Sequence, residues 1–454
     1  MQGKQNGGIS EVDIMPETLT QPKRALGLAD AVALIVGIVI GAGIFRTPAI
    51  VAANTANSGM FLFAWTLGGV VSLIGALCYA ELTTAFPNTG GDYHFLRRAF
   101  GKKLAFLFAW ARMSVIQTGS IALLAFIFGD YLTQVYDLGQ FSSFIYASLV
   151  VIILTLINIL GVQFGSGTQK ILTILEVAGI LLIVFAGFFL APANEVAALP
   201  EKESSPSASL GMAMVVVLLT FGGWNEAAYI SGELRSGQKH MAKALILGII
   251  IITVVYLLVN LAYLNVLGIE GISKSATVAG DLMNLALGKE GLLLIGIMVA
   301  ISALTSANAT IFTGARTGFA LGRDFKLFSL LGKWNQKNSA PVNAFIVQGI
   351  ISLALIGLGL INRKGFETIL DYTAPVFWFF FLLVGLSLFI LRRKEPEAKR
   401  PFRVPLYPLT PLLFCLTSAY LLYSSVVYTG NGALVGIGVL AVGALLLPFI
   451  EKRH

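Results

Sequence analysis

Two clusters of glycine interrupt long apolar runs, and their spacing carries the clearest chemistry in the sequence. The first run reads GLADAVALIVGIVIGAGIFRTPAIVAA, with Gly37, Gly41 and Gly43 near its centre and Pro48 beyond them. The second reads MAMVVVLLTFGGWNEAAYISGEL, with Gly222-Gly223 at its centre. Glycine tolerates unwound backbone. Breaking a helix there frees C=O groups at the end of one half, which attract a cation. It also frees N–H groups at the start of the other half, which attract an anion. Two such breaks suit a zwitterion with a carboxylate and an ammonium. Close helix packing is the other use of these residues, and Gly37-x-x-x-Gly41 fits that too.

Charges inside apolar runs each ask for a reason, because one at a membrane-helix centre costs about 2.5–3.5 kcal/mol on insertion scales. Glu176 lies in TQKILTILEVAGILL, and Glu226 follows Gly223 by three residues. A buried glutamate can carry a proton, or it can be a structural, paired group. In a cavity Glu226 would bind a substrate amine, select cationic side chains or relay protons. Its alternative is a helix–helix hydrogen bond, and Asn225 reads as structural. Arg112 and Gln117 are candidates for a cavity wall. The run SALTSANATIFTGAR offers Ser302, Thr305, Ser306 and Asn308, either as part of a sodium site with carbonyls of the first break or as polar contacts between helices. Glu81, Glu233, Arg316 and Arg323 stand near the ends of apolar runs, placed for gate salt links or for snorkelling to the interface.

The elements that hold these residues follow from composition. The chain has 454 residues and a formal net charge of +8, yet only 12% are charged and 56% are hydrophobic. A soluble domain carries roughly 25% charged residues. Composition therefore excludes a soluble enzyme, a disordered chain and a nucleic-acid binder. A bilayer core takes about 20 apolar residues per helix. Twelve such segments are expected, near 27–53, 59–86, 104–131, 143–161, 169–191, 209–233, 242–268, 291–321, 340–361, 370–391, 406–428 and 432–450. The polar residues 1–26 read as a cytosolic tail with no cleavable signal peptide. Cys78 and Cys415 lie in apolar runs, so no disulfide framework is expected.

With the N-terminus inside, twelve spans return the C-terminus inside, and 24 of the 31 Lys and Arg residues fall on the inner side. That is the positive-inside bias. The breaks fall in span 1 and span 6, five spans apart. This is the pattern of an inverted repeat over 27–191 and 209–391, with 406–450 added as two further spans. The expected fold is an all-α membrane protein with twelve transmembrane helices, a 5+5 inverted repeat plus two C-terminal helices.

The segments IVIGAGIF (38–45), YAELTTAFPNTGGDYHFLRRAFG (79–101), FGGWNEAAYISGEL (221–234) and RPFRVPLYPLTP (400–411) are similar to the amino acid–polyamine–organocation transporters. The likeness is greatest to the L-type amino acid transporter group and its bacterial relatives, and it runs from Gly27 to the C-terminus. It implies amino-acid transport by alternating access. It implies that backbone N–H groups of Gly41, Ala42, Gly43 and Ile44 take the substrate carboxylate. Carbonyls of Val39, Leu219, Thr220 and Gly222 would meet the ammonium. Ala42 stands where Ser is commoner. Leu219 stands where the family often has an aromatic gate, so Phe221 or Trp224 is the alternative gate. Ile116 and Ser120 match positions that shape the side-chain pocket, expected from spans 3, 6, 8 and 10. Many relatives carry Lys at the place of Glu176, where it replaces a sodium ion. Glu there inverts the local charge.

The histidines His94, His240 and His454 are scattered, so no metal site is indicated. No cofactor is implied, and no Walker A, G-x-S-x-G or H-E-x-x-H motif occurs. The reading is therefore not an enzyme and not driven by ATP. It is a multi-pass secondary transporter of the plasma (cell inner) membrane that moves amino acids, with neutral L-amino acids favoured. The expected partners are the amino acid and the lipid bilayer, with no nucleic acid; sequence fixes no oligomeric state. Alternatives are a proton-coupled symporter using Glu176 or Glu226, with Thr305 and Ser306 as other coupling candidates, a cationic amino acid or polyamine carrier, and a non-transporting sensor.

Overall fold

The computed structural model describes residues 24–192, 210–235, 238–361 and 374–451. The expected tail lies outside them as far as residue 23, as do Lys202, Arg363, Lys364, Lys452 and Arg453. The described residues are helical apart from connections and two isolated bridges, Leu26 with Leu234 and Asn335 with Ala340. Among the described residues, eleven helices are long and apolar enough to cross a membrane, and the bent pair Leu28–Val39 and Gly43–Ala53 makes a twelfth span. That pair is span 1. Spans 2 to 6 are Ser58–Ala85, Lys102–Val135, Ser142–Leu160, Val162–Leu190 and Leu210–Glu233. Spans 7 to 12 are Lys239–Lys274, Lys289–Asp324, Val342–Ile361, Ala374–Lys394, Leu409–Val427 and Gly430–Pro448. All twelve expected spans are present. The continuous helix of span 7 stops at its expected end: Gly268 is non-helical (φ 63°, ψ 172°), and a separate short helical stretch follows it to Lys274. The short helix Asp92–Phe100 joins spans 2 and 3.

Spans 4 and 5 keep Leu149, Ile153, Leu156, Ile171 and Ile174 exposed, the face a helix turns to lipid. Span 1 is enclosed instead. It packs against spans 5, 7 and 8 and against the second half of span 6.

One end of the bundle is tied by ion pairs. Arg316 and Glu233 are fully buried and bidentate, at 2.5 Å (Nε to Oε1) and 2.8 Å (Nη2 to Oε2). The Arg316 guanidinium also donates to the Phe312 carbonyl and lies 3.8 Å from the Phe312 ring centroid. Glu81 accepts from Arg392 at 2.8 and 2.6 Å and from the Val404 N–H at 2.7 Å. Snorkelling is thereby corrected for Glu81, Glu233 and Arg316: each is buried, and its charge is met inside the bundle. A desolvated charge persists only when paired and hydrogen-bonded. Arg323 lies 5.8 Å from the Phe319 ring centroid. At the same end Asp30 meets Lys170 at 3.0 Å, and Asp324 meets Arg97 at 3.1 Å and the Tyr93 hydroxyl at 2.6 Å.

Removing one partner of a buried pair costs about 3–5 kcal/mol, whereas removing both is often neutral. Glu233→Gln is therefore expected to lower the melting temperature in detergent sharply. Glu233→Met combined with Arg316→Met should recover most of the loss. Thermal unfolding of the purified variants checks this.

Candidate functional site

The two broken helices meet. The first half of span 1 ends at Val39, and Ile40 leaves the helix with ψ 74°. The Gly41 N–H turns back to the Val39 carbonyl at 2.7 Å, and the helix resumes at Gly43, bent by 50°. Span 6 is helical over Leu210–Thr220, unwinds through Gly223 (φ 109°) and continues as a 3-10 helix, Trp224–Glu233. A Cβ on Gly43 would lie 3.3 Å from the Thr220 methyl, and one on Gly223 would lie 3.3 Å from the Ile38 carbonyl. The start of each second half thus faces the end of the other span's first half. Helix ends leave their first N–H and last C=O groups without intrahelical partners, so the junction combines a positive and a negative pole from each span.

Side chains from spans 7 and 8 hold the carbonyl ends. The Tyr256 hydroxyl donates to Val39 O at 2.8 Å and lies 3.1 Å from Thr220 O, sharing one proton between the two breaks. Ser302 donates to Ile40 O at 3.1 Å, and Ser306 to Gly37 O at 3.4 Å. Sequence reasoning missed Tyr256. Its one signal was a polar hydroxyl in the otherwise apolar run IIIITVVYLLV. Gly37 serves close packing: a Cβ there would sit 2.2 Å from Thr173 Oγ1 and 2.5 Å from the Thr305 methyl. The Thr305 hydroxyl turns back to Ile301 O at 2.8 Å.

Gly41, Ala42 and Gly43 are half-buried, whereas Ile44 is fully buried. Leu219 is 55% exposed at the end of the first half of span 6. Phe221 and Trp224 are both buried in aromatic clusters. Phe221 lies 5.0 Å from the Tyr256 ring and 6.3 Å from Trp65, and Trp224 lies 5.1 Å from Tyr79 and 5.7 Å from Phe381. Gln117 donates to Thr310 O at 2.9 Å, joining spans 3 and 8, and Asn308 donates to Gln169 at 2.8 Å. Ile116 and Ser120 are half-buried on span 3, where Ser120 donates to Ile116 O at 2.8 Å.

The two glutamates have different surroundings. Glu176 is 3% exposed, and neither carboxylate oxygen has a hydrogen-bond partner among the described residues. The Ser302 and Tyr256 hydroxyls lie within its electrostatic reach. Glu226 is paired instead: Arg112 Nη2 meets it at 2.6 Å, while Arg112 Nε donates to Thr317 at 3.0 Å. Beside the span-6 break is a small cavity of about 40 Å³, whose walls include Ser72, Gly222, Gly223, Trp378, Phe381 and Phe414. Its walls come from spans 2, 6, 10 and 11. Gln117 and Arg112 each donate from span 3 to span 8.

A bundle of twelve spans with two breaks meeting inside it is the architecture of a secondary carrier. A family model described as amino acid permease matches residues 26–446. The b(0,+)-type amino acid transporter 1 of Rattus norvegicus is 30% identical over 419 residues, covering 91% of this chain and 84% of the relative. The serine/threonine exchanger SteT of Bacillus subtilis (strain 168) is 28% identical, covering 92% and 96%. The large neutral amino acids transporter small subunit 2 of Mus musculus is 29% identical, covering 89% and 76%. The chain belongs to the amino acid permease family, and it is a multi-pass membrane transporter of amino acids.

Tyr256→Phe removes the one hydroxyl that both breaks share. A buried acceptor left unsatisfied costs about 1–3 kcal/mol. Uptake at subsaturating substrate is expected to fall about tenfold, with the protein still monodisperse in detergent. Initial-rate uptake into proteoliposomes measures it.

Proposed function

We propose that this permease carries neutral L-amino acids by alternating access and works as an exchanger. The observation that carries this reading is the opposed meeting of the two breaks. The N–H groups of Gly41 to Ile44 would take the carboxylate, and the carbonyls of Val39, Leu219, Thr220 and Gly222 would take the ammonium. Arg112 cancels the charge of Glu226, the acid just past the span-6 break, which removes the argument for a cationic side chain. The cavity beside the break has no charged residue in its wall, which also favours uncharged side chains. The relatives' names point the same way, since one is a serine/threonine exchanger and another a transporter of large neutral amino acids.

The arrangement of basic residues supports both termini in the cytosol and residence in the plasma membrane. The placement of the breaks supports the repeats 27–191 and 209–391. Proton coupling is the second reading, favoured by Glu176, a buried carboxyl without a hydrogen-bond partner among the described residues, near the Ser302 hydroxyl that holds the span-1 break. A neutral acid is cheap to bury where a carboxylate is not.

Proteoliposomes loaded with amino acid distinguish these readings. Exchange predicts that internal neutral amino acid raises uptake at least tenfold, with no response to a sodium or proton gradient. Uptake driven by an inward proton gradient, and made indifferent to it by Glu176→Gln, would replace exchange with symport. Binding without flux would sink both.

A further inference from the structure

A second buried charge cluster lies between the span-6 break and the basic end, and the transport site does not use it. In a 3-10 helix residues three apart stack on one edge. Glu226 and Tyr229 therefore share an edge of Trp224–Glu233, and one guanidinium serves both. Arg112 meets the Glu226 carboxylate at 2.6 Å and lies 4.3 Å from the Tyr229 ring centroid. Arg112 opens a π-helical turn, Arg112–Ile116, in span 3. Its Nε is spent on Thr317 of span 8. The latch thus ties spans 3, 6 and 8.

Asp92 completes the cluster from outside the spans. It begins the helix Asp92–Phe100 and is 3% exposed. Gly91 brings it there: with φ 50°, its Cβ position would be 2.7 Å from the Tyr229 ring, an approach that only glycine permits. Asp92 lies in the fields of Tyr79 of span 2, Arg112 of span 3, and Asn225 and Glu226 of span 6, and Tyr229, which Gly91 touches, stands between Arg112 and the start of this helix. Among the described residues, Asp92 Oδ1 and the hydroxyls of Tyr79 and Tyr229 are buried without hydrogen-bond partners. One cation thus faces two acids. With both ionised, the cluster holds an unbalanced negative charge out of water. Burial pushes the Asp92 carboxyl up to about 7; Arg112 opposes that rise and Glu226 adds to it.

We propose that Asp92 is a proton-binding site of this latch, protonated while Arg112 is locked on Glu226 and deprotonated when the basic end opens to water. By linkage, the state that holds the proton more tightly is favoured as pH falls. Lower pH at the basic end therefore keeps that end shut, and rising pH releases it. The inference rests on alternating access and, for the face on which pH acts, on the orientation proposed above.

The test is exchange by the full-length protein in proteoliposomes of known orientation, with pH set independently on the two faces. Wild-type exchange is expected to accelerate about threefold or more as pH at the basic end rises from 6 to 8. Asp92→Asn should exchange at a rate independent of that pH, near the wild-type rate at pH 6. An Asp92→Asn protein that keeps the wild-type profile overturns the proposal. Asp92→Glu keeps a titratable group, so its profile should retain the slope with a shifted midpoint; a flat profile there also overturns it. A pH response confined to the other face would overturn the orientation and leave the latch standing.

Discussion

Backbone that leaves the helix inside a membrane must find its hydrogen bonds within the protein, because lipid supplies none. That constraint organises this permease. Val39, Ile40 and Thr220 end their half-helices in the interior, and the hydroxyls of Tyr256 and Ser302 come to them from spans 7 and 8. Span 1 must then be enclosed by spans 5, 7 and 8, and Gly37 must lack a side chain so that spans 5 and 8 can reach it. The break is thus held by its surroundings as a built feature, and a substrate would meet it already shaped.

The charges obey the same rule at higher stakes. Glu233 with Arg316, Glu81 with Arg392, and Glu226 with Arg112 are pairs in which each buried carboxylate meets a guanidinium from another span. Spans distant in sequence are joined in each case. The 3-10 form of Trp224–Glu233 matters here, since its i, i+3 stacking lets one arginine serve Glu226 and Tyr229 together. An α-helical turn would rotate those side chains about 60° apart around the axis.

Span number and the location of both breaks were legible, because apolar length and mid-run glycines are local signals. The partners of the intramembrane charges were not, because each pair joins residues that sequence leaves far apart, such as Glu81 and Arg392. Tyr256 was invisible for a related reason: a tyrosine in an apolar span resembles packing until the carbonyls it serves are located. Gln117 and Arg112 read as lining groups in the sequence; the contacts that hold them, Thr310 for Gln117 and Thr317 and Glu226 for Arg112, lie far away along the chain. Asp92 gave no signal at all, since an acid at the start of a short connecting helix ordinarily serves its N-terminus.

Glu176 ties the backbone rule to the charge rule. The Ser302 hydroxyl is the polar group beside it, and that hydroxyl is already committed to the Ile40 carbonyl. A hydroxyl has one proton to give. A neutral Glu176 makes no strong claim on it, and the break stays capped. An ionised Glu176 would be the stronger acceptor and would compete for the Ser302 proton, which would free the Ile40 carbonyl. A substrate ammonium arriving at that carbonyl would then replace the donor it had lost. Protonation of Glu176 and occupation of the break would in this way be linked through one donor. A lysine at this place would reverse the competition, adding a donor where the glutamate adds an acceptor.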